Sequence, residues 1–572
     1  SLSRAMDLPD AEIFIKRSSP YGQIDVIRSP ALRYAPGLSL AYQGTVPVRD
    51  AIFSDGNWFG PVVEWTRTDT SHFLDYTTNS LPYIINQPSR VLLLDAGTGL
   101  FAAHALTRGV ENITLVEQNR IAVSLLKHEL SGMIDSMYQL PAVNPVNLHS
   151  RSYLLKDENL YDLIILPTSE SFGGTSGINA LEEKYILTLE ALDEMWNRLS
   201  ENGMIAVTSW MDYPPRNTLK LLASLVETHK ANSNSPVDQH LAAIRGWGTI
   251  TFILKKSPLS NSETEKIRNF CNNMFFDPAL LPGITPDERS VYNQLQDDDF
   301  FAYIDMIMSD ERESFFREYD FNIRPATDNI PYFSQFLKLS RYGKMQEMLG
   351  QSSVPFLEIG YLVVLITFLQ ITAAAVILIL LPLFTTGWKG GGKLYTVLHF
   401  SGIGLGFMFL EITFIQQFIL YFGNPIYAAV AVLSGMLICS GAGSLVSSRF
   451  GSGSRAIIKI LALVIFFIIL YIAFLVPLLR LTINLPLLVK ILLAILFIFP
   501  AAFFMGMPFP LGLRKLSGIN ETLTPWAWGI NGCLSVISTA LATIIAVEAG
   551  FLWVMLIAAL SYGLTLLANL IK

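Results

Sequence analysis

The stretch VLLLDAGTGLFAAHALTRGVENITLVEQN, residues 91–119, predicts the fold of the first half of the chain. A short apolar run leads into Asp95, Gly97 and Gly99, and a helical segment and a second apolar run follow. This order is typical of a strand–turn–helix–strand unit with parallel strands, in which the backbone amides of the turn can approach a ligand. Glu117 ends the second strand, where a carboxylate can accept hydrogen bonds from ribose hydroxyls. The stretch therefore predicts a cradle for an adenosine-type ligand.

The spacing of Asp95 and Glu117 is better evidence for a cradle than the glycines are, because a tight turn after a strand also needs glycine. Both interpretations, a ligand cradle and a structural turn, remain open. Further along, LYDLIIL (160–166) and GMIAVTSW (203–210) predict two more strands, and LEEKYILTLEALDEMWNRL (181–199) predicts a helix between them. Alternating strands and helices predict a parallel sheet and an α/β, Rossmann-like soluble domain.

The second half of the chain has the composition of a membrane protein. Of the 572 residues, 51% are hydrophobic and only 15% are charged, which is unusual for a soluble protein. A helix needs roughly 20 apolar residues to cross the hydrocarbon core of a bilayer. Such runs predict an all-α polytopic membrane domain of about seven helices, near 357–383, 395–421, 425–447, 456–478, 484–507, 526–547 and 551–571.

Basic residues predict how these helices are oriented. With seven spans, the soluble half shares one side of the membrane with the second, fourth and sixth loops. The opposite side carries Lys389, Lys393, Arg449, Arg455, Lys459, Arg514, Lys515 and Lys572. Because Lys and Arg are enriched in cytoplasmic loops, the soluble half is expected to be extracytoplasmic, on the inner membrane of the cell. Lys338, Arg341 and Lys344 precede the first span and count against this orientation.

Several classes of site and partner are not indicated. The three cysteines lie far apart in the chain, so neither a disulfide framework nor a metal site is predicted. No basic and aromatic surface for nucleic acid is apparent. The start SLSRAMDLPDAEIF begins without methionine and lacks the apolar core of a signal peptide. We therefore expect that an N-terminal piece before Ser1 has been cleaved or is not included in this sequence.

Six motifs together resemble the spermidine synthase-like proteins in their membrane-fused, uncharacterised form, a branch of the class I S-adenosylmethionine-dependent methyltransferase fold. They are SPYGQIDVIRSPALRYAPGLSLAY, LDYTTNSLPY, VLLLDAGTGL, VEQN, EEKYILTLEAL and PATDNIPYFSQF. In the membrane half, GLGFMFLEITFIQQFILYFGNP, FFMGMPFPLGLRK and PWAWGINGCLSV are similar to the same group. Members of this group are often preceded by another membrane segment, so the resemblance implies a separate or cleaved N-terminal membrane segment before Ser1. The resemblance implies a β-rich part (1–88), a methyltransferase-type domain (89–256), a helical extension and membrane-proximal linker (257–350) and a transmembrane domain (354–572).

The resemblance also implies site residues and departures from them. Asp95, Gly97, Gly99 and Glu117 match the nucleotide cradle, whereas His149 matches an aspartate that accepts a hydrogen bond from adenine. Pro167 matches the aspartate that acts as base in aminopropyl transfer, and proline offers neither an acid nor a base. The candidates left for a base are Glu170 and His149. The aminopropyl-transfer chemistry is therefore expected to be lost.

Polar residues within the apolar runs suggest another role. Glu411, Gln416 and Asn531 are intramembrane candidates, and an acid at bilayer depth normally faces a partner, a cavity or a proton path. A hydrogen-bonded glutamate between two helices is the alternative interpretation.

Three functional hypotheses follow. The first is a ligand binder or group transferase that uses an S-adenosylmethionine-type or polyamine-type ligand and no metal. The second is a catalytically inactive accessory or scaffold subunit of a larger membrane complex, with other membrane proteins and the lipid bilayer as partners and a respiratory complex as one example. The third is a transporter with Glu411 in its path.

Overall fold

The computed structural model divides the chain into two units, Ser1–Glu358 and Ile359–Lys572. The structure describes the chain except residues 20–21, 70, 170–178, 295–298, 342, 344–358, 387, 389, 452 and 571–572, and it describes only the backbone at residues 167–169, 179, 359 and 386. Each unit is described by itself below.

A small antiparallel sheet opens the first unit. Its order is β1-β2-β3-β4, and its strands are β1 Glu12–Ser19, β2 Gly22–Arg28, β3 Val48–Ser54 and β4 Asn57–Val63. The inner strands are almost wholly buried, and their apolar side chains pack into a cluster that includes Ile27, Phe53 and Val63. This small sheet contacts the turn that follows the first strand of the larger sheet. The contacts are made by Phe59 and Pro61 of β4.

The larger sheet has eight strands in the order β12-β10-β11-β9-β8-β5-β6-β7. The strands are β5 Arg90–Leu93, β6 Asn112–Val116, β7 Val143–Val146, β8 Tyr161–Ser169, β9 Leu199–Trp210, β10 Leu241–Arg245, β11 Thr249–Lys255 and β12 Asp277–Leu280. The five strands from β5 to β9 run parallel. The predicted parallel sheet is thus correct for these five, whereas β10, β11 and β12 pair in antiparallel fashion at one side.

Helices cover this sheet because its strands are apolar on both faces, as parallel strands usually are. Those of the first unit are α1 Leu2–Met6, α2 Leu81–Ile85, α3 Leu100–Thr107, α4 Arg120–Lys127, α5 Ser150–Lys156, α6 Leu189–Asn197, α7 Asn217–Asn232, α8 Asn261–Met274, α9 Phe300–Met308 and α10 Arg312–Glu318. The helix predicted over 181–199 begins only at Leu189. Thr188 ends the preceding irregular segment and caps α6, since its hydroxyl accepts a hydrogen bond from the N–H of Ala191.

The second unit contains seven helices long and apolar enough to cross a membrane, within the residues that the structure describes. They are α11 Gly360–Leu383, α12 Lys393–Phe422, α13 Pro425–Val446, α14 Ser454–Leu481, the pair α15 Leu487–Met505 and α16 Pro508–Ile519, α17 Thr524–Ala549 and α18 Phe551–Leu570. The expected seven long apolar helices are confirmed. The fifth is longer than predicted because the chain breaks at Gly506 and Met507 and then continues as α16.

Glycines on α12 allow close helix packing. A methyl group at Gly402 would collide with Thr565 of α18, and one at Gly406 would lie 2.7 Å from the ring of Tyr562. Close approach of this kind favours van der Waals packing, which drives association of helices in a bilayer. These two glycines therefore allow α12 to pack closely against α18.

Candidate functional site

The turn after β5 has a left-handed backbone at three positions. Asp95, Gly97 and Gly99 have φ angles of 47°, 56° and 78°. The backbone N–H of Asp95 donates to Ser150 Oγ (2.8 Å), and the Ser150 hydroxyl donates to Asp95 Oδ1 (2.5 Å). Left-handed φ is unfavourable for an aspartate, so this paired contact with the start of α5 stabilises the turn.

Both glycines approach atoms of the protein itself. A methyl group at Gly97 would lie 3.2 Å from the carbonyl oxygen of Phe59, and one at Gly99 would lie 2.7 Å from the hydroxyl of Tyr138. The neighbouring Thr98 hydroxyl donates to the carbonyl of Pro61 (2.5 Å). The glycines are therefore explained in part by contacts with β4 and with the segment before β7.

Glu117 connects the glycine turn to the end of β6. Its buried carboxylate accepts the backbone N–H of Gly97 (3.0 Å) at one oxygen and that of Asn119 (2.8 Å) at the other. Burial raises the pKa of Glu117 to about 7, and the charge of Asp95 adds to this, while the backbone hydrogen bonds oppose it. Each carboxylate oxygen keeps further acceptor capacity, so the group can still bind a hydroxyl.

His149 lies three residues after β7, in the N-cap position of α5. Burial lowers its pKa, Asp95 opposes this shift and Arg151 adds to it. The imidazole is therefore neutral at neutral pH. Its Nδ1 atom is buried without a hydrogen-bond partner, and so is Oδ1 of Asn147. Buried polar atoms normally have partners, so these two atoms are suited to hydrogen bonds with polar groups of a ligand.

Together these residues define what we call the cradle: Asp95, Gly97, Glu117, Asn147 and His149. They follow β5, β6 and β7, and those strands are neighbours that run in the same direction. The carboxyl ends of neighbouring parallel strands are the usual place for a ligand in an α/β sheet. The structure thus places the sequence-predicted residues Asp95, Gly97, Gly99, Glu117 and His149 at one edge.

The two other candidates from the sequence, Pro167 and Glu170, are not part of the cradle. Pro167 lies in β8, at the matching edge of the sheet, and its side chain is outside the described part of the chain. Glu170 lies outside the described residues altogether. Neither residue is tested as a catalytic group, and both remain predictions.

A contact beside the cradle was missed by the sequence analysis. Arg151 of α5, with its side chain 1% exposed, forms an ion pair with Asp328 (3.1 Å). Asp328 also accepts a hydrogen bond from Thr188 (2.8 Å), and its N–H donates to Glu190 (2.8 Å). Asp328 lies in PATDNIPYFSQF, a motif that the sequence analysis identified. No rule of sequence spacing, however, predicts its contact with Arg151.

Glu183 was also missed. It precedes α6 in a segment held by a hydrogen bond from the Lys184 N–H to the carbonyl of Pro331 (2.9 Å). Burial raises the pKa of Glu183 to about 8. At neutral pH this carboxyl group is mostly protonated, so it can donate a hydrogen bond but is a poor proton acceptor.

The intramembrane candidates lie in the second unit, in α12 and α17. The side-chain amide of Asn531 donates to the carbonyl of Phe400 (3.2 Å), which connects the two helices. In contrast, the side-chain oxygen Oε1 of Gln416 is buried without a hydrogen-bond partner. Glu411 is only partly buried. The structure supports a packing role for Asn531, and the roles of Glu411 and Gln416 remain predictions.

A second buried polar cluster lies where the chain breaks between α15 and α16. His399 Nε2 is 3.2 Å from the carbonyl oxygen of Pro508, and Nδ1 is 2.9 Å from the side-chain nitrogen of Asn569. Lys515 donates to the amide oxygen of Asn569 (3.0 Å). Since that amide nitrogen is a donor, Nδ1 is the acceptor and the proton of neutral His399 is on Nε2. The sequence analysis did not single out His399.

Comparison with known proteins gives matches among solved structures. No protein-family profile matches the chain, and no curated protein sequence matches it. A spermidine synthase in complex with a transition-state analogue is 14% identical over 51% of this chain and 87% of its own length, with a TM-score of 0.33. The spermidine synthase from Thermotoga maritima is 13% identical over 50% of this chain and 84% of its own, with a TM-score of 0.31. A probable spermidine synthase from Corynebacterium glutamicum is 14% identical over 50% and 97%, with a TM-score of 0.35. At these identities the matches concern the fold alone.

Proposed function

We propose that the first unit binds an adenosine-type ligand of the S-adenosylmethionine class in the cradle. The observation that carries this proposal is the pair of buried, unpartnered atoms, Asn147 Oδ1 and His149 Nδ1. An adenine ring presents both an amino donor and ring-nitrogen acceptors, which are the complements of an amide oxygen and a neutral imidazole. Within the described residues, no group of three His, Cys, Asp or Glu side chains is arranged to hold a metal ion.

Glu117 supports the ribose end of this proposal. Its carboxylate is fixed by the N–H groups of Gly97 and Asn119, so it is already oriented before a ligand arrives. A ribose hydroxyl that donates to Glu117 would favour the ionised carboxylate and lower its raised pKa. Binding is then expected to release a proton near neutral pH.

The ligand would supply a sulfonium centre, which activates a methyl or aminopropyl group for transfer. Ordinary aminopropyl transfer also needs a carboxylate to accept the proton of the attacking amine. Pro167 occupies the strand position where the resemblance expects that carboxylate. Glu183 is a poor substitute, because its raised pKa keeps it mostly protonated at neutral pH. We therefore propose binding without ordinary spermidine synthesis.

A second candidate function is an inactive scaffold within a larger membrane complex. It is favoured by the contacts that fill the turn, since Gly97 faces the Phe59 carbonyl and Gly99 faces Tyr138. Glu117 likewise already has two backbone partners. A turn that is held closed by its own chain does not require a ligand.

Calorimetry on the purified full chain separates the two candidates. S-adenosylmethionine, its decarboxylated form and methylthioadenosine are titrated against the wild type and against Glu117→Ala. Charge-assisted hydrogen bonds contribute about 1.5 to 3 kcal/mol each, and about 1.4 kcal/mol is a tenfold change. The substitution should therefore weaken binding at least tenfold, whereas Glu158→Ala at an exposed position should not. Wild type that binds none of the three compounds would support the scaffold instead.

A further inference from the structure

We propose that the first unit contacts a phospholipid bilayer directly, through four exposed apolar side chains at one edge of its large sheet. These residues, the apolar tips, are Leu40, Trp247, Phe275 and Tyr292. Leu40 is 88% exposed and Trp247 is 64% exposed. An open groove of about 440 Å³ lies between the four side chains, and no charged residue lines it.

The apolar tips are presented by a fixed framework. Trp247 is at the tip of the β10–β11 hairpin, between Gly246 and Gly248. Phe275 ends α8 with a φ angle of 56°, a backbone conformation that is rare for a bulky residue. The Phe275 and Tyr292 rings pack edge to face, 5.5 Å apart. Exposure of large apolar groups on such a framework is a surface feature that calls for a partner.

A fully buried ion pair fixes the loop that carries Tyr292. The carboxylate of Asp277 accepts the N–H groups of Val291, Tyr292 and Asn293 at 2.9, 2.8 and 2.7 Å. Arg245 is 3.4 Å from the same carboxylate, and neither side chain is exposed. Breaking a buried pair of this kind is costly, so the loop is held against the end of β10.

Strand register places all four tips at the same edge. Thr249 at the start of β11 pairs with Trp210 at the end of β9, and Arg245 at the end of β10 pairs with Asp277 at the start of β12. The hairpin, the end of α8 and the Tyr292 loop therefore lie at the carboxyl end of β9. Leu40 joins them because the neighbouring Ser39 hydroxyl donates to the carbonyl of Met274 (2.6 Å).

The last described segment of the first unit is also held at this edge. The hydroxyl of Tyr319 donates to the carbonyl of Pro215, just beyond β9 (2.6 Å), and the ammonium of Lys338 donates to the carbonyl of Tyr319 (2.6 Å). Residue 338 is thus anchored near the carboxyl end of β9, and the apolar helices begin about 20 residues later along the chain. The apolar tips and this segment lie at the same edge, and the same chain carries candidate membrane spans, which favours lipid over a protein partner.

The chemistry of the tips fits the membrane–water interface. Trp and Tyr prefer the headgroup level, where the ring is apolar and its polar atom remains wet. Leu and Phe add apolar area that binds lipid when it is buried in the outer part of the bilayer. The bilayer is continuously available, because the same chain carries seven candidate spans.

The test uses environment-sensitive fluorophores on the full chain, reconstituted as one chain per phosphatidylcholine nanodisc. Trp247→Cys and Leu40→Cys are labelled, and Leu160→Cys is the matched control. Leu160 is apolar and 49% exposed, but it precedes β8 and so lies at the opposite edge of the sheet. The three native cysteines are buried, which restricts labelling to the introduced position.

We expect blue-shifted emission and at least about twofold quenching by phosphatidylcholine brominated on its acyl chains at positions 247 and 40, and little change at position 160. Leu40 makes few packing contacts, so the variant at that position is informative even if Trp247→Cys is destabilised. Equal behaviour at all three positions would overturn the proposal, whether all are quenched or none. An emission shift at 247 and 40 without lipid quenching would indicate a protein partner and would also overturn it.

Discussion

At the scale of single residues, Glu117 shows how burial changes the chemistry of a site. Desolvation raises its pKa from 4.5 to about 7 against the effect of its backbone hydrogen bonds. Without a ligand, the folded protein therefore keeps a proton that the unfolded chain would release. This proton makes the occupancy of the cradle and the stability of the unit depend on pH.

The sign of that dependence is a testable prediction. A carboxyl group with a raised folded-state pKa contributes its full stabilisation below about pH 4.5 and loses it as pH rises through about 7. Over this range the free energy of unfolding should fall by up to about 3 kcal/mol on account of Glu117. Glu117→Gln cannot ionise, so its unfolding midpoint should fall less between pH 5 and pH 8.

The control is Glu158→Gln, which changes an exposed carboxyl group two residues after α5. It should show the same pH dependence as the wild type. Thermal unfolding of the three proteins in nanodiscs, followed at several pH values, gives the comparison. Parallel curves for wild type and Glu117→Gln would contradict the raised pKa.

At the scale of elements, the break between α15 and α16 is stabilised by a side chain from another helix. The ring of His399 on α12 packs directly against Gly512 of α16, leaving no space for a methyl group there. Its Nε2 atom also contacts the Pro508 carbonyl at the start of α16 (3.2 Å). Proline at this point has no N–H to continue the helix, and the histidine fixes how α16 departs from α15.

Gly512→Ala is therefore expected to destabilise the second unit. The added methyl group must displace His399, and overpacking of this kind typically costs about 1 to 3 kcal/mol. Gly518→Ala on the same helix has no atom within 4 Å of the added group and is the matched control. The thermal midpoint in detergent should fall for the first variant and stay the same or rise for the second. A similar fall for both variants would mean that the contact with His399 is not what makes alanine unfavourable at position 512.

The secondary structure near the cradle could be predicted, since a short apolar run, a glycine turn and an acid lie within 30 residues or so of one another. Seven spans could be predicted because length and hydropathy suffice. The contact of Arg151 with Asp328 could not, because the two residues are 177 positions apart. The late start of α6 has the same origin: Leu189 N–H donates to the carbonyl of Ala326 (2.9 Å), a tertiary contact that overrides helix propensity.

At the scale of the whole molecule, the distribution of basic residues predicts which side of the membrane holds the first unit. Arg449, Arg455, Arg514 and Lys515 lie at helix ends or loops opposite the side from which α11 begins. Positive charge of this kind is enriched on the cytoplasmic side. The extracytoplasmic placement of the first unit remains a prediction from the sequence.

Single-cysteine labelling of intact cells with a membrane-impermeant reagent tests it. Glu201→Cys, exposed in the first unit, should react before lysis, whereas Gly451→Cys, exposed between α13 and α14, should react only afterwards. The buried native cysteines should contribute little signal. The reverse pattern would place the first unit in the cytoplasm, where S-adenosyl compounds are made and would be available to a transferase.

The close approach of the Phe59 carbonyl to Gly97 has a consequence for evolution. A larger residue at position 97 would be selected against by the backbone of β4 and by the left-handed φ angle alone, even in a lineage that had stopped using any nucleotide. A glycine signature in related sequences would then persist after loss of the ligand. Variation at Asn147 and His149, whose buried side-chain atoms make no hydrogen bond within the chain, would be the more sensitive record of whether the proposed ligand is bound.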